Sequence, residues 1–413
     1  MMNLTKTTLS AGLVAALLAS TGCGDLFTVQ NPGLIEDVTL ESPTVFVPLV
    51  NGIAGDFAVA MGTARSIAEM SFEMQTSGPT VEPWSIGTFE PQAINGWWNS
   101  MHKARWVAEN GIERMKKNMA ATDFAKSALV AEAQLFAGLS NRFLGENVCY
   151  AVIDGGKAQP RTEHFKRAEQ YFTAAMATAQ AVGASAANIN TAALAGRASA
   201  KAWQGNWAGA VSDAVLVPTT FKYQALYSAN TSREENNYFF YTWRQWYATQ
   251  ANTPWLTAKD PRTPMTVQLD AKGGQIVTRD GRWPAIAQGK YISTNDDIDV
   301  VSGREMLLLR AEAALRNKDL AGAAQLMNQA RATYNLATLP ALPASATATE
   351  AAAWTTLVYE RGATLWLEGR RFWDLTRWYA QGVDQQYKGR DQCWPISKLE
   401  MDTNPNLKGF TGL

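Results

Sequence analysis

Between Tyr359 and Arg377 the chain reads YERGATLWLEGRRFWDLTR, a stretch in which acids and arginines alternate with large apolar side chains. Glu360, Glu368 and Asp374 are carboxyl groups of the kind that work in pairs as general acid, base or nucleophile, as in an all-α glycoside hydrolase. The neighbouring arginines argue for another use. On a helix, Arg370 and Arg371 can each reach Asp374, and Arg361 and Arg377 supply further matching charge. Opposite charges set among Leu365, Trp366, Phe372 and Trp373 describe a buried ion-pair network, which is our reading of Glu360, Arg361, Glu368, Arg371, Asp374 and Arg377. The apolar period near 3.6 predicts two helices to position them, one from about Ala351 to a corner at Gly369 and a second from Arg370 to Trp378.

A second group of residues could bind without reacting. The chain holds 15 Trp among 413 residues, and these rings gather in two irregular stretches. From Thr80 to Asn99, Trp84, Trp97, Trp98 and Asn99 lie among Gly87, Pro91 and Asn95, which break regular structure. Flat rings stack on the apolar face of a sugar while amide side chains bond its hydroxyls, so these four are a candidate site. The alternative is that Trp97 and Trp98 open the next helix and pack into the core. Within Pro218–Val301, a loop-rich insertion, NNYFFYTWRQWYATQANTPWL crowds aromatics too densely for one helical stripe. Trp243, Trp246 and Trp255, with Arg244 as a hydrogen-bonding neighbour, are its candidate ligand contacts; a satellite core beneath the insertion is the alternative.

Composition removes several classes. Net charge is zero and pI about 6.8, so nothing favours nucleic acid. Only His102 and His164 are present, without an HExxH motif, and no cofactor is expected. Asn295, Asp296, Asp297 and Asp299 lack the EF-hand spacing for calcium and read as charge at a helix N-terminus. At the start, Lys6 precedes an apolar run from Leu9 to Ala19 and then Ser20-Thr21-Gly22-Cys23, the layout of a signal peptide over residues 1–22. Gly22-Cys23 resembles a lipobox, with Ser20 where the pattern takes leucine, so Cys23 is expected to be acylated and to anchor the protein to a membrane it does not cross. Residues 23–45 read as an extended tether feeding a single domain over 23–413. Cys149 and Cys393 are expected as two buried thiols rather than a disulfide.

The body is helical by period: Val45–Ser71, Trp98–Met119, Lys126–Leu144, Thr162–Val182, Thr191–Gly205 and Trp207–Val215. Leu194–Ala214 and Leu308–Arg331 each resemble a tetratricopeptide helix-turn-helix, with turns at Gly205-Asn206 and Asn317-Lys318-Asp319. The expected class is mainly all-α, helix pairs forming a scaffold interrupted by the insertion, with minor β.

Four motifs in order carry a wider resemblance. DLFTVQNPGLIEDVTLESP near the start, Asp260-Pro261-Arg262, ERGATLWLEGRRFWDLTR and CWPISKLEMDTNPNL at the end together resemble the SusD/RagB family of nutrient-capturing surface lipoproteins. The resemblance implies four tetratricopeptide-like helix pairs under a loop-rich ligand face, and no catalysis. It also implies a glycan or peptide ligand, a surface-exposed position on the outer membrane, and a SusC-like TonB-dependent transporter as partner. A periplasm-facing tetratricopeptide scaffold that binds protein is the other non-enzymatic reading.

Overall fold

The computed structural model describes residues 40–62, 64–75, 87–244, 248–249, 255, 258–278 and 280–412. Cys23, Trp84 and Trp246, and the tether as far as residue 39, lie outside them.

Helices α1 (Phe46–Gly62) and α2 (Ala64–Met70) come first, followed by the short strand β1 (Met74–Gln75). Three long helices follow: α3 (Asn95–Asn118), α4 (Ala128–Asn147) and, after the hairpin of β2 (Tyr150–Ala151) and β3 (Gln159–Pro160), α5 (Thr162–Val182). Next come α6 (Ala187–Trp203) and α7 (Trp207–Ala214). Each helix packs on its predecessor in a continuous series, α1 on α3, α3 on α4, α4 on α5, α5 on α6 and α6 on α7. The close approach in this stack has a sequence cause. Phe172 of α5 presses on Gly138 of α4 and Gly196 of α6, where an added Cβ would stand 2.6 and 2.4 Å from its ring. Any larger residue there would push the layers apart.

Strand β4 (Lys222–Ala225) then opens the insertion, which contains β5 (Ala248–Thr249), β6 (Met265–Val267), β7 (Ile286–Gln288) and β8 (Ile298–Ser302). Antiparallel pairing of β4 with β8, Ala225 opposite Ile298 and Lys222 opposite Ser302, closes the insertion at its base. The polar run before β8 therefore serves strand and turn, not a helix terminus. Asp299 pairs with Lys222 at 2.8 Å, Asp297 accepts the Tyr227 amide, and Asp296 accepts the Ser293 amide.

After the insertion α8 (Gly303–Arg316) packs on α7 and resumes the stack, followed by α9 (Leu320–Ala332), α10 (Glu350–Thr364), α11 (Arg371–Ala380) and α12 (Lys398–Thr403). Local chemistry sets the helix starts. Ser127, Asn206, Ser302, Asp319 and Thr349 each accept an amide of the first turn of the helix they precede. The tetratricopeptide-like pairs α6–α7 and α8–α9 are as the sequence predicts, and the fold is all-α with minor sheet.

Two expectations need correction. Helix α10 ends at Thr364, five residues before Gly369, because Leu365, Trp366 and Leu367 form a buried turn in which Leu367 takes φ 58° and Gly369 φ 72°. Their apolar spacing imitates one more helical turn. Cys149 and Cys393 are joined in a disulfide, their Cα atoms 5.0 Å apart and both residues only half-buried. Hydrogen bonds from the Cys149 amide to the Trp394 carbonyl and from the Trp394 amide to the Asn147 carbonyl hold the two segments in register.

Candidate ligand-binding face

The two aromatic stretches meet at a ladder too short to be read in sequence. β1 runs antiparallel to β5, with Met74 opposite Thr249 and Gln75 opposite Ala248. The chain leaves β1 at Gln75 and enters β5 at Ala248, so the Trp84 segment and the Trp246 segment attach at the same end of one ladder. The returning chain is pinned as well. Gly87 at φ 88° accepts the Asp391 amide, and the Asp391 carboxylate accepts the Phe89 amide at 2.7 Å. An added Cβ on Gly87 would stand 2.4 Å from the Arg390 guanidinium, so the bend fits closely against the C-terminal segment.

Of the sequence candidates, Trp243 belongs to this face. Its ring is half-buried and its indole N–H donates to the Gln288 carbonyl at 3.0 Å, tying it to β7, which itself packs on β5. Trp97 is half-buried against Trp394 with ring centroids 5.1 Å apart, and Asn99 is exposed on α3. Trp98 and Trp255 are not surface rings. Trp98 is 1% exposed and lies on His102, centroids 4.3 Å apart; Trp255 is 0% exposed under the Arg371 guanidinium at 4.3 Å. Both fill the core, the alternative to ligand contact that their stretches allow. In α3 the helical period turns Trp98 inward, while α10 brings Gly362 so near that a Cβ there would stand 2.6 Å from the Trp255 ring.

The charged stretch forms a buried network whose pairing differs from the local spacing. Asp374 accepts from Arg361 at 2.6 Å and from Arg377 at 2.7 Å, not from Arg370 or Arg371. Arg377 continues to Glu312 on α8 at 2.6 Å. Burial raises the Glu312 carboxyl, but the charge and hydrogen bonds of Arg377, joined by the charges of Arg316 and Arg361, together outweigh it and hold the pKa down at about 2. Arg370 reaches Glu146 of α4 at 2.9 Å and the Val300 carbonyl of β8. Arg371 donates to the Ser71 carbonyl after α2. Glu360 sits between Arg262 and Arg331, each at 2.6 Å, and Arg262 also grips Asp260, so the Asp-Pro-Arg motif clips the insertion onto α10. Sequence spacing could not reveal Glu146, Glu305, Glu312 or Arg262 as partners, since they are remote in the chain.

Two carboxyls stand out by pKa. Burial pushes Glu368 up to about 7 despite Lys290 at 2.7 Å, with Asp299 adding repulsion, and burial pushes Glu73 up to about 6. Such shifts mark candidate general acids when the group faces a cleft. Glu73 is 0% exposed and spends its oxygens on the Leu367 amide and the Ser71 hydroxyl, while Glu368 is 5% exposed beneath the same turn. A cleft of about 420 Å³ is lined by Lys259, Asp260, Arg331, Leu339, Tyr359 and Glu360, and neither Glu73 nor Glu368 is among its walls. Its acids are already committed: Asp260 to Arg262 and the Tyr359 hydroxyl, Glu360 to its two arginines. Among the described residues no cluster of three His, Cys, Asp or Glu side chains is placed to hold a metal.

With the geometry in place, the comparisons with known proteins agree. Residues 217–393 match the SusD family. The fold matches a SusD/RagB family protein from Bacteroides thetaiotaomicron VPI-5482 at TM-score 0.63 and 14% identity, covering 86% of this chain and 95% of that one. A SusD superfamily protein from the same organism matches at TM-score 0.65 and 11% identity, covering 89% and 98%. A SusD-like carbohydrate binding protein from Bacteroides vulgatus ATCC 8482 matches at TM-score 0.56 and 12% identity, covering 80% and 82%. Among curated proteins none matches this sequence. Residues 217–393 are thus similar to the SusD family, and the fold of most of the chain is the one shared by these SusD-like structures.

Proposed function

We propose that the protein is a non-catalytic, lipid-anchored surface protein that captures an oligomeric nutrient and delivers it to a TonB-dependent outer-membrane transporter. The observation that carries the binding reading is the β1–β5 ladder. It attaches two aromatic segments, about 170 residues apart in sequence, to one end of the same short sheet. Aromatic segments tied to a common support suit a sugar-binding surface, because stacking then costs less ordering entropy. The description of one structural neighbour as carbohydrate binding favours a glycan over a peptide. The absence of catalysis is supported by the acids themselves, since Glu360, Glu368 and Asp374 are buried and engaged with arginine or lysine. Anchoring through the Cys23 thiol follows from the lipobox-like Gly22-Cys23.

Affinity gels cast with soluble polysaccharides test the reading. A Trp243→Ala, Trp246→Ala double variant is expected to keep its helical circular dichroism and lose the retardation shown by the parent. Unchanged retardation would remove this face from consideration, and release of reducing ends by the purified parent would end the non-catalytic reading. For the anchor, Cys23→Ala is expected to move the protein from the membrane to the soluble fraction.

A further inference from the structure

A second aromatic group lies on the helical scaffold, built by α5, α6, α7, α8 and α11 and sharing no residue with the ladder face. At its centre is Trp373. Its ring lies 5.4 Å from that of Phe165 and 6.0 Å from that of Trp203, the latter nearly edge-on at 69°, and Trp207 stands at 78° to Trp203. Trp203, Trp207 and Trp373 are all half-buried, so each offers part of a face to solvent. Two clefts adjoin there, sharing Trp373, Arg377 and Gln381. One, about 240 Å³, is walled by Arg161 and Gln392; the other, about 290 Å³, by Trp207 and Arg316.

The polar groups of these clefts are unevenly engaged. Arg377 and Arg316 are held by Glu312. Arg161 is different: its guanidinium lies 5.4 Å over the Trp373 ring, and no acid pairs with it among the described residues. Burial pushes its pKa down to about 10, leaving it cationic at neutral pH without a counter-charge. The Trp373 indole N–H is shielded from solvent and has no acceptor among the described residues. An uncompensated guanidinium and an unmet indole donor on an aromatic wall ask for an oxygen-rich anion with an apolar face.

We propose that this double cleft binds a uronate-bearing oligosaccharide, the sugar carboxylate against Arg161 and pyranose faces against Trp373 and Trp207. A carboxylate supplies the acceptors that Arg161 and the Trp373 N–H lack, and Gln392 and Gln381 are placed for hydroxyls. Gln392 is adjacent to the disulfide at Cys393, which fixes that wall.

Titration calorimetry on the full chain with oligogalacturonate, against maltooligosaccharide of equal length and against hexaglutamate, tests the proposal. Oligogalacturonate is expected to bind, to weaken at least tenfold in Arg161→Ala, and to weaken with rising salt. Arg161→Lys should recover part of the affinity, and Trp373→Phe, which keeps the packing but removes the N–H, should weaken binding several-fold. Full affinity in Arg161→Ala, loss in Trp243→Ala instead, an equal weakening of neutral oligosaccharide binding in Arg161→Ala, or tighter binding of hexaglutamate would each overturn it. So would absence of oligogalacturonate binding at millimolar concentration by a protein whose melting is normal.

Discussion

Arg361 and Asp374 meet at 2.6 Å across the buried corner between α10 and α11, and that contact joins the two helices more directly than the turn that links them. Asp374 also holds Arg377, while Arg361 lies 3.8 Å from Glu305 on α8. Replacing Asp374 with Ala leaves two buried guanidinium groups short of a counter-charge. We expect a loss of about 3–5 kcal/mol in urea unfolding. Asp374→Asn should cost nearly as much, because shape is kept and charge is not. A loss below about 1 kcal/mol in both would mean that the pairs are solvated and only decorate the corner.

The disulfide predicts a response to reductant. It closes 244 residues of separation between the end of α4 and the C-terminal segment, and both cysteines are half-exposed, so a small thiol can reach them. Reduction is expected to lower stability by about 2–4 kcal/mol, read as a drop in melting temperature. A Cys149→Ser, Cys393→Ser variant should melt where the reduced protein does and ignore reductant. The backbone bonds between Cys149 and Trp394 and between Trp394 and Asn147 should keep the segments docked, so helical content is expected to persist below the melt.

How much of this was legible in the chain depends on the range of the interaction. Helix α5 reads correctly at both ends, since its period is strong and Gly183 at φ 94° stops it. The turns at Asn206 and Asp319 are likewise local, because each side chain caps the helix beside it. Failure begins where partners are distant. Arg370 sits four residues from Asp374 yet bonds Glu146, 224 residues away, and no spacing rule reports that. The Gly369 corner misled because Leu365, Trp366 and Leu367 keep an apolar rhythm while leaving the helix. Trp97 and Trp98 are adjacent and of one type; only the packing of α3 decides that one enters the core and the other rests on Trp394. On the site, sequence could gather the rings into two stretches, but the attachment of those stretches to one sheet depends on a two-residue ladder that carries no pattern.

Burial of Trp255 gives a stability test that a surface ring would not pass. The ring is enclosed by Arg371 at 4.3 Å, Tyr359 with centroids 6.3 Å apart, and the bare Cα of Gly362. Trp255→Ala is expected to cost about 3–5 kcal/mol by opening a cavity. Gly362→Ala should cost about 1–3 kcal/mol by overpacking, since its Cβ would stand 2.3 Å from the Arg371 guanidinium. Asn99→Ala, on the exposed face of α3, should stay within about 0.5 kcal/mol of the parent. Chemical denaturation curves rank the three, and a reversed order would place Trp255 at the surface.

The pH dependence follows from groups of opposite sign. Burial, with the Arg105 charge adding to it, lowers the His102 pKa to about 3, and burial likewise takes His164 well below its usual 6.5. As pH falls from 6.5 the unfolded chain takes up protons that the native histidines refuse, so each costs about 1.4 kcal/mol per pH unit. Glu368 and Glu73 act the other way. Native pKa values of about 7 and about 6, both raised by burial from 4.5, keep them protonated where the unfolded chain has ionised, so their contribution to stability falls as pH rises from 4.5. Between about 4.5 and 6 the two histidines and two glutamates oppose one another, and stability should be nearly flat. Below 4.5 the glutamates fall silent. The histidines are then joined by Glu312, held down at about 2 mainly by Arg377 against the effect of burial, and stability should drop steeply. Urea midpoints from pH 3.5 to 8 test this, with Glu368→Gln as the decisive comparison. Without that carboxyl, stability should climb from pH 4.5 to 6.5 instead of levelling, and a variant whose curve keeps the parent's plateau would show that Glu368 is already ionised in the folded protein.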